Sequence, residues 1–207
     1  KNRPVYWGLR QFGSFGKPTI KHQLLIPSKK RVEILSKKPP VFFRADTEKV
    51  KNLCASGYIF PQKKFNQFPT NGEILKSEII YERVVVELIG KTIPPGETKL
   101  RGQELEGIIL NQLGYDYTKG ELLEGGYPDI RHQLLEVKIQ DTQTVDLGRY
   151  TPQTVEIIHN ESGISTQDIR YLFAMTNSTS GVIEGVILSP GLELGNSFKY
   201  VDGVSGK

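Results

Sequence analysis

The chain has 207 residues, 27 Lys and Arg against 23 Asp and Glu, a net charge of +4 and one cysteine. That length can bury a sizeable core. A lone Cys54 excludes an internal disulfide and a cysteine-paired zinc site, no apolar run approaches the ~18 residues of a membrane span, and the N-terminus lacks the layout of a signal peptide. A soluble protein of the reducing cytoplasm is the expectation. Beginning at Lys1 rather than methionine, the chain reads as one with trimmed termini.

The charge is unevenly spread. Residues 1 to 100 hold 19 Lys and Arg against 8 Asp and Glu, whereas residues 101 to 207 hold 8 against 15. A basic half can neutralise phosphates beside a carboxylate-rich half that holds cations, although a solvated basic face with no partner gives the same count.

In chain order, prolines and glycines up to Pro69 and Gly72 leave room for short elements only. Short strands are expected at His22–Ile26 and Val41–Phe43, exposed turns at Lys29-Lys30-Arg31 and Lys37-Lys38, and a short helix over Asp46–Ala55 capped by Asp46. The β-branched run Val84-Val85-Val86 favours a strand over Glu78–Ile89. Pro94-Pro95-Gly96 marks a boundary between a basic N-terminal region, 1–95, acting as an arm or subdomain, and a second unit, 96–207. After it, Leu105, Ile108, Ile109 and Leu113 recur at helical spacing with Gly114 at the C-terminal cap, which predicts a helix from about Gly102 to Leu113. A strand at Tyr127–Ile130, a turn at Arg131-His132-Gln133 and a strand at Leu134–Gln140 follow. The polar segment Asp141–Thr166 is too long for a simple connection, and two more strands are expected at Asp168–Thr176 and Val182–Leu188.

The chemistry concentrates in Gly125–Gln140, GGYPDIRHQLLEVKIQ. Side chains alternate along a strand, so Glu136, Lys138 and Gln140 share one face and Leu135, Val137 and Ile139 the other. A short turn brings Asp129 near Glu136, and two carboxylates so placed repel unless a cation lies between them. Hard oxygen ligands suit Mg²⁺, which keeps water and phosphate in its remaining positions. Lys138, one pleat beyond Glu136, can stabilise negative charge on phosphate or position a water. On the preceding helix Glu106 lies at the edge of the apolar stripe and Glu104 points further towards solvent, so either competes for an accessory acidic role.

His22, His132 and His159 have no metal-site spacing and are expected to be structural or surface residues, and Cys54 a packed thiol. Gly13-Ser-Phe-Gly16 lacks the lysine of a phosphate loop.

Pro128-Asp129, six spacer residues and then Glu136-Val137-Lys138 resemble the PD-(D/E)XK nuclease superfamily, with the Gly102 and Glu106 helix similar to that family's opening helix. Within the superfamily the chain looks most like a type II restriction endonuclease. The resemblance covers about residues 100 to 190. It implies an α/β (α+β) fold with a mixed central sheet flanked by helices, and hydrolysis of double-stranded DNA to 5′-phosphate and 3′-hydroxyl ends. It also implies that Asp129, Glu136 and the Val137 carbonyl ligate Mg²⁺, that Lys138 assists the attacking water, and that Glu106 is accessory. For DNA contact the segment after the catalytic strand offers Gln140, Gln143, Arg149, Tyr150, Thr151 and Gln153, since Gln and Arg match base edges and Thr and Tyr hold phosphate. Lysines between Lys17 and Lys64, interleaved with Phe12, Phe15, Phe42, Phe43 and Phe65, could grip the backbone, though the aromatics equally suit a small core. A homodimer is expected, because symmetric sites are read by two-fold dimers. A repair or recombination nuclease, of junction-resolving or nicking type, and a non-catalytic DNA-binding module are the alternatives.

Overall fold

The computed structural model describes residues 20–57 and 64–204. Phe12, Phe15 and Lys17 lie outside the described residues. The elements begin with strand β1 (Ile20–Leu25) and helix α1 (Ser28–Leu35). The turn expected at Lys29-Lys30-Arg31 is thus the first turn of a helix. It follows Pro27 in extended backbone, and Lys30 donates to Glu33 three residues on, a pairing that supports a helix.

Strand β2 (Val41–Phe43) and helix α2 (Glu48–Leu53) come next. The helix is capped by Thr47, whose hydroxyl accepts from Val50 N, and not by Asp46. Asp46 instead accepts from Ser77 N at 2.8 Å and Ser77 Oγ at 2.6 Å. A carboxylate that could cap locally is thereby spent on a contact 31 residues away.

The strand expected over Glu78–Ile89 is helical: α3 (Ser77–Ile80), a π turn (Tyr81–Val85) and α4 (Val86–Leu88). Ile80, Val84, Val85 and Leu88 are all fully buried. That spacing is one helix face, and the π turn brings the adjacent Val84 and Val85 both inward; packing overrides the β-branched preference.

Helix α5 (Thr98–Leu113) ends at Gly114 with φ 80°, the left-handed cap that its sequence announces. Helix α6 (Lys119–Glu124) was not foreseen, although Thr118 and Glu121 form a capping box at its start, the signature T-x-x-E. No strand forms at Tyr127–Ile130: only Ile130 pairs, as an isolated bridge to Leu135, since Pro128 offers no N–H to a ladder. A 3-10 turn (Arg131–Gln133) and Leu134 at φ 48° then lead into β3 (Leu135–Gln140).

The expected loop Asp141–Thr166 contains β4 (Thr144–Gly148), β5 (Ile157–His159) and β6 (Ile164–Ser165). Strands β7 (Arg170–Thr176) and β8 (Ile183–Pro190) lie where the sequence placed them, followed by α7 (Gly191–Ser197) and β9 (Lys199–Val204). At the β7–β8 turn Gly181 has φ 73°, and a Cβ there would come within 2.1 Å of the Ile93 carbonyl oxygen. Only glycine fits so close an approach.

The fold is α+β. Its central sheet has the order β2-β8-β7-β3 and is mixed: β2 runs parallel to β8, β8 antiparallel to β7, and β7 parallel to β3. On one face Leu135, Val137, Leu172 and Val186 pack against Leu105, Ile109, Val84 and Leu88 of the helices. On the other, Phe42, Tyr171, Phe173 and Ile187 pack against Leu24 and Val145 of a second sheet, β4-β1-β9, and against Phe198 just before β9. Helices therefore cover one face and a sheet the other. The division expected after residue 95 separates neither core: β2 joins the central sheet, β1 the second, and Ile80 to Ile93 pack with Leu105 to Leu113. Among the described residues no helix is long and apolar enough to cross a membrane.

Candidate active site

Strand β3 is an edge of the central sheet. Leu134 accepts from Arg170 N on the β7 side, while Leu135 bonds Ile130 on the other. Successive residues of a strand turn their N–H and C=O groups to alternate sides. Residues 136 and 138 therefore bond β7, whereas the backbone groups of Val137 lie on the outer edge, where its N–H donates to Asp129 Oδ2 at 2.9 Å.

Both carboxylates are latched by backbone N–H groups of the facing segment. Asp129 N donates to Glu136 Oε2 at 3.1 Å, and Asp129 Oδ2 takes the Val137 N–H. Lys138 Nζ donates to Glu136 Oε1 and lies 3.9 Å from Asp129 Oδ2. The expected juxtaposition of Asp129, Glu136 and Lys138 is present, but through a turn and one bridge rather than a hairpin. Glu136 is only 3 % exposed.

Helix α5 packs across β3 and lays Glu106 into the same cleft, of about 420 Å³, together with Gly102, Asp129, Val137 and Lys138. Glu104 is exposed and lines a separate groove with Leu100, Ile108 and Tyr117. Of the two competing acids, Glu106 is the one facing the cluster.

Burial, and then the charge of Asp129, push both Glu106 and Glu136 up to about 8. Burial works against the Lys138 ammonium, but the charges of Glu136 and Asp129 outweigh it and hold Lys138 above its ordinary value. Lys138 is thus a cation and a donor at neutral pH, not a base. A carboxyl whose folded pKa is raised binds its proton more tightly when folded. Its contribution to stability is complete below the unfolded value near 4.5 and is lost as pH rises through about 8. In EDTA, Glu106→Gln is expected to melt with wild type at pH 5 and at a higher temperature than wild type at pH 9. Thermal midpoints that differ equally at both pH values would contradict the burial of a charge at Glu106.

Beneath the cluster, a buried polar brace fixes the 3-10 turn. Arg170, fully buried, donates through Nε at 3.0 Å and through Nη2 to the Gln133 carbonyl, and through Nη1 to Leu75 O at 2.7 Å. Asp46 Oδ1 lies 3.7 Å from Arg170 Nη1. Gln133 accepts from Leu75 N and donates to Tyr115 Oη at 2.7 Å, which leaves the Tyr115 proton for His132 Nδ1 at 2.6 Å. His132 is structural, as expected, yet its role in the turn is specific. Sequence reasoning missed Arg170 and Gln133; an arginine opening an apolar strand was the available signal.

A ring ladder borders the site. Tyr127 donates to or accepts from Tyr171 Oη at 2.8 Å, its ring stacks on Tyr150 at 4.8 Å, and the Arg149 guanidinium sits 5.2 Å over Tyr150. Of the residues expected to contact DNA, Arg149, Gln143 and Gln153 are exposed and Tyr150 is half-buried. Gln140 and Thr151 are buried at 1 %. Gln140 is bonded by Arg31 and to Thr142 O, so its amide is consumed inside the protein. The packed thiol expected at Cys54 is found: burial pushes it up to about 11.

Among the described residues no three or more His, Cys, Asp or Glu side chains form a metal cage. The donor chemistry nevertheless fits a hard divalent cation. Asp129, Glu136 and Glu106 set three carboxyl groups beside the single Lys138 ammonium, and Mg²⁺ needs only one or two protein carboxylates beside water and phosphate. No protein-family model, curated protein or solved structure matches the chain.

Proposed function

We propose that the protein is a Mg²⁺-dependent endonuclease of double-stranded DNA, with the PD-(D/E)XK arrangement and sequence-specific, type II restriction activity as a homodimer. The observation that carries this reading is the latched pair Asp129 and Glu136, with Lys138 on both, at the open edge of β3. Asp129, Glu136 and the Val137 carbonyl would hold the metal, and Glu106 would serve as an accessory acid through water. When bound, the ion supplies Lewis acidity and an acidified water. Lys138, kept protonated by its two neighbours, donates to a phosphate oxygen or orients the attacking water, and it neutralises charge that grows during the displacement. The backbone latch keeps Asp129 and Glu136 in place before substrate arrives, so little reorganisation accompanies the reaction. The brace through Arg170 and Gln133 holds the turn between them.

Incubation with plasmid DNA and Mg²⁺ is expected to give discrete fragments carrying 5′-phosphates, and Ca²⁺ in place of Mg²⁺ to allow binding without cutting. Sequencing the fragment ends would yield one recurrent site. Cutting confined to branched or mismatched substrates would replace restriction by a repair or recombination role, and binding without cleavage in Mg²⁺ would sink the enzyme.

A further inference from the structure

The geometry points to a phosphate-backbone contact on the opposite edge of the central sheet, built from Lys30, Lys37 and Arg44 around Phe42, whose occupant is the same duplex DNA. This inference rests on the reading of the protein as a DNA-cleaving enzyme and adds where the duplex is gripped. The three cations stand 5.4, 5.7 and 5.1 Å from the centroid of one ring. The ring itself is 4 % exposed and is held edge-on by Phe198 at 5.2 Å, while Lys37 and Arg44 are exposed.

Among the described residues this gathering has little internal compensation. Residues 29 to 44 carry six Lys and Arg but a single acid, Glu33, and Glu33 is occupied by Lys30 at 2.9 Å. Arg31 turns inward to Glu184, which leaves Lys29, Lys37, Lys38 and Arg44 beside Lys30 on the outside. Cation–π attraction at exposed sites is weak and does not by itself repay crowding of like charge. An arriving polyanion does, by releasing its condensed counterions. Where a solvated face needs cations spread apart, these converge on one buried ring.

The placement relative to the site follows from the strand register. Phe42 pairs with Ile187, Ile187 with Phe173, and Phe173 with Lys138, so the ring and the site lysine occupy one cross-strand row. Three strand spacings put their Cα atoms roughly 14 Å apart. A helical turn of DNA is about 35 Å. The second sheet covers the face between them, so the contact takes backbone outside the cleft, and the regular spacing of phosphates along a duplex favours it over an acidic protein surface.

The probe is a 40-base-pair duplex bound in Ca²⁺ over a series of KCl concentrations, with wild type compared to the double variant Lys37→Gln, Arg44→Gln. Both residues are exposed, so folding should be untouched, which a thermal melt verifies. The slope of log affinity against log salt is expected to flatten by about 1.8, roughly 0.9 per lost phosphate contact. The loss should be uniform across sequences, and Lys37→Arg with Arg44→Lys should restore the slope. In Mg²⁺ the double variant should raise KM for plasmid at unchanged kcat. An unchanged salt slope, or binding of an acidic protein surface but no duplex, overturns the contact. A flattened slope in a protein that never cuts DNA leaves the contact standing and removes the nuclease reading, and cleavage with an unchanged slope does the reverse.

Discussion

Lys138→Ala is expected to lower the Mg²⁺-dependent cleavage rate by at least about 10²- to 10³-fold, the range found when one preorganised donor is taken from a reacting centre. Binding of duplex in Ca²⁺ should stay within a few-fold of wild type. The reason is positional. Lys138 Nζ reaches Glu136 Oε1 and lies 3.9 Å from Asp129 Oδ2, so it acts where charge develops and contributes little to holding DNA at a distance. Single-turnover cleavage and a fluorescence titration on the same duplex separate the two effects. Lys138→Arg keeps the charge but not the compact ammonium, and should recover only part of the rate. Full cleavage by the alanine variant would remove the cluster from the chemistry. Equal losses in binding and rate would reassign Lys138 to substrate affinity.

Arg170→Leu should cost about 3–5 kcal/mol of folding stability, because breaking a buried ion pair strands its partner. Asp46, with a side chain 2 % exposed, would keep its bonds from Ser77 but lose the guanidinium 3.7 Å away. The carbonyls of Gln133 and Leu75 would lose the guanidinium donors as well. Arg170→Lys restores a charge opposite Asp46 without the fork that serves both carbonyls, and should fall between. Urea unfolding followed by circular dichroism measures the difference. A cost below about 1 kcal/mol for the leucine variant would show that Arg170 does not brace the turn.

What the sequence revealed follows from how local each signal is. Leu105, Ile109, Leu113 and Gly114 specify a helix and its stop within one segment, and the structure forms it. The run through Val84-Val85-Val86 misleads because its state is set by partners: Val84 and Val85 are buried against α5 while Val86 is exposed, and the segment forms a π turn that no period of two or 3.6 anticipates. Asp46 reads as a cap because capping is local, yet its partners are Ser77 and Arg170. For the site, alternation correctly grouped Glu136 with Lys138. It also placed Gln140 among groups available to a partner, when Arg31, 109 residues earlier, takes its oxygen. Long-range polar closure is what one unaligned chain conceals. The choice between Glu104 and Glu106 likewise turned on the angle at which α5 crosses β3, a property of the packed pair.

The edge position of β3 has a consequence for solubility. A bare sheet edge is a template on which a second chain can add a strand, and proteins block such edges with charge or by occupying their donors. Here Asp129 does both: its carboxylate takes the outward N–H of Val137 in the middle of the strand. The acid proposed to hold the metal is thus also the guard of the sheet, and its loss would free a hydrogen-bonding rim for self-association.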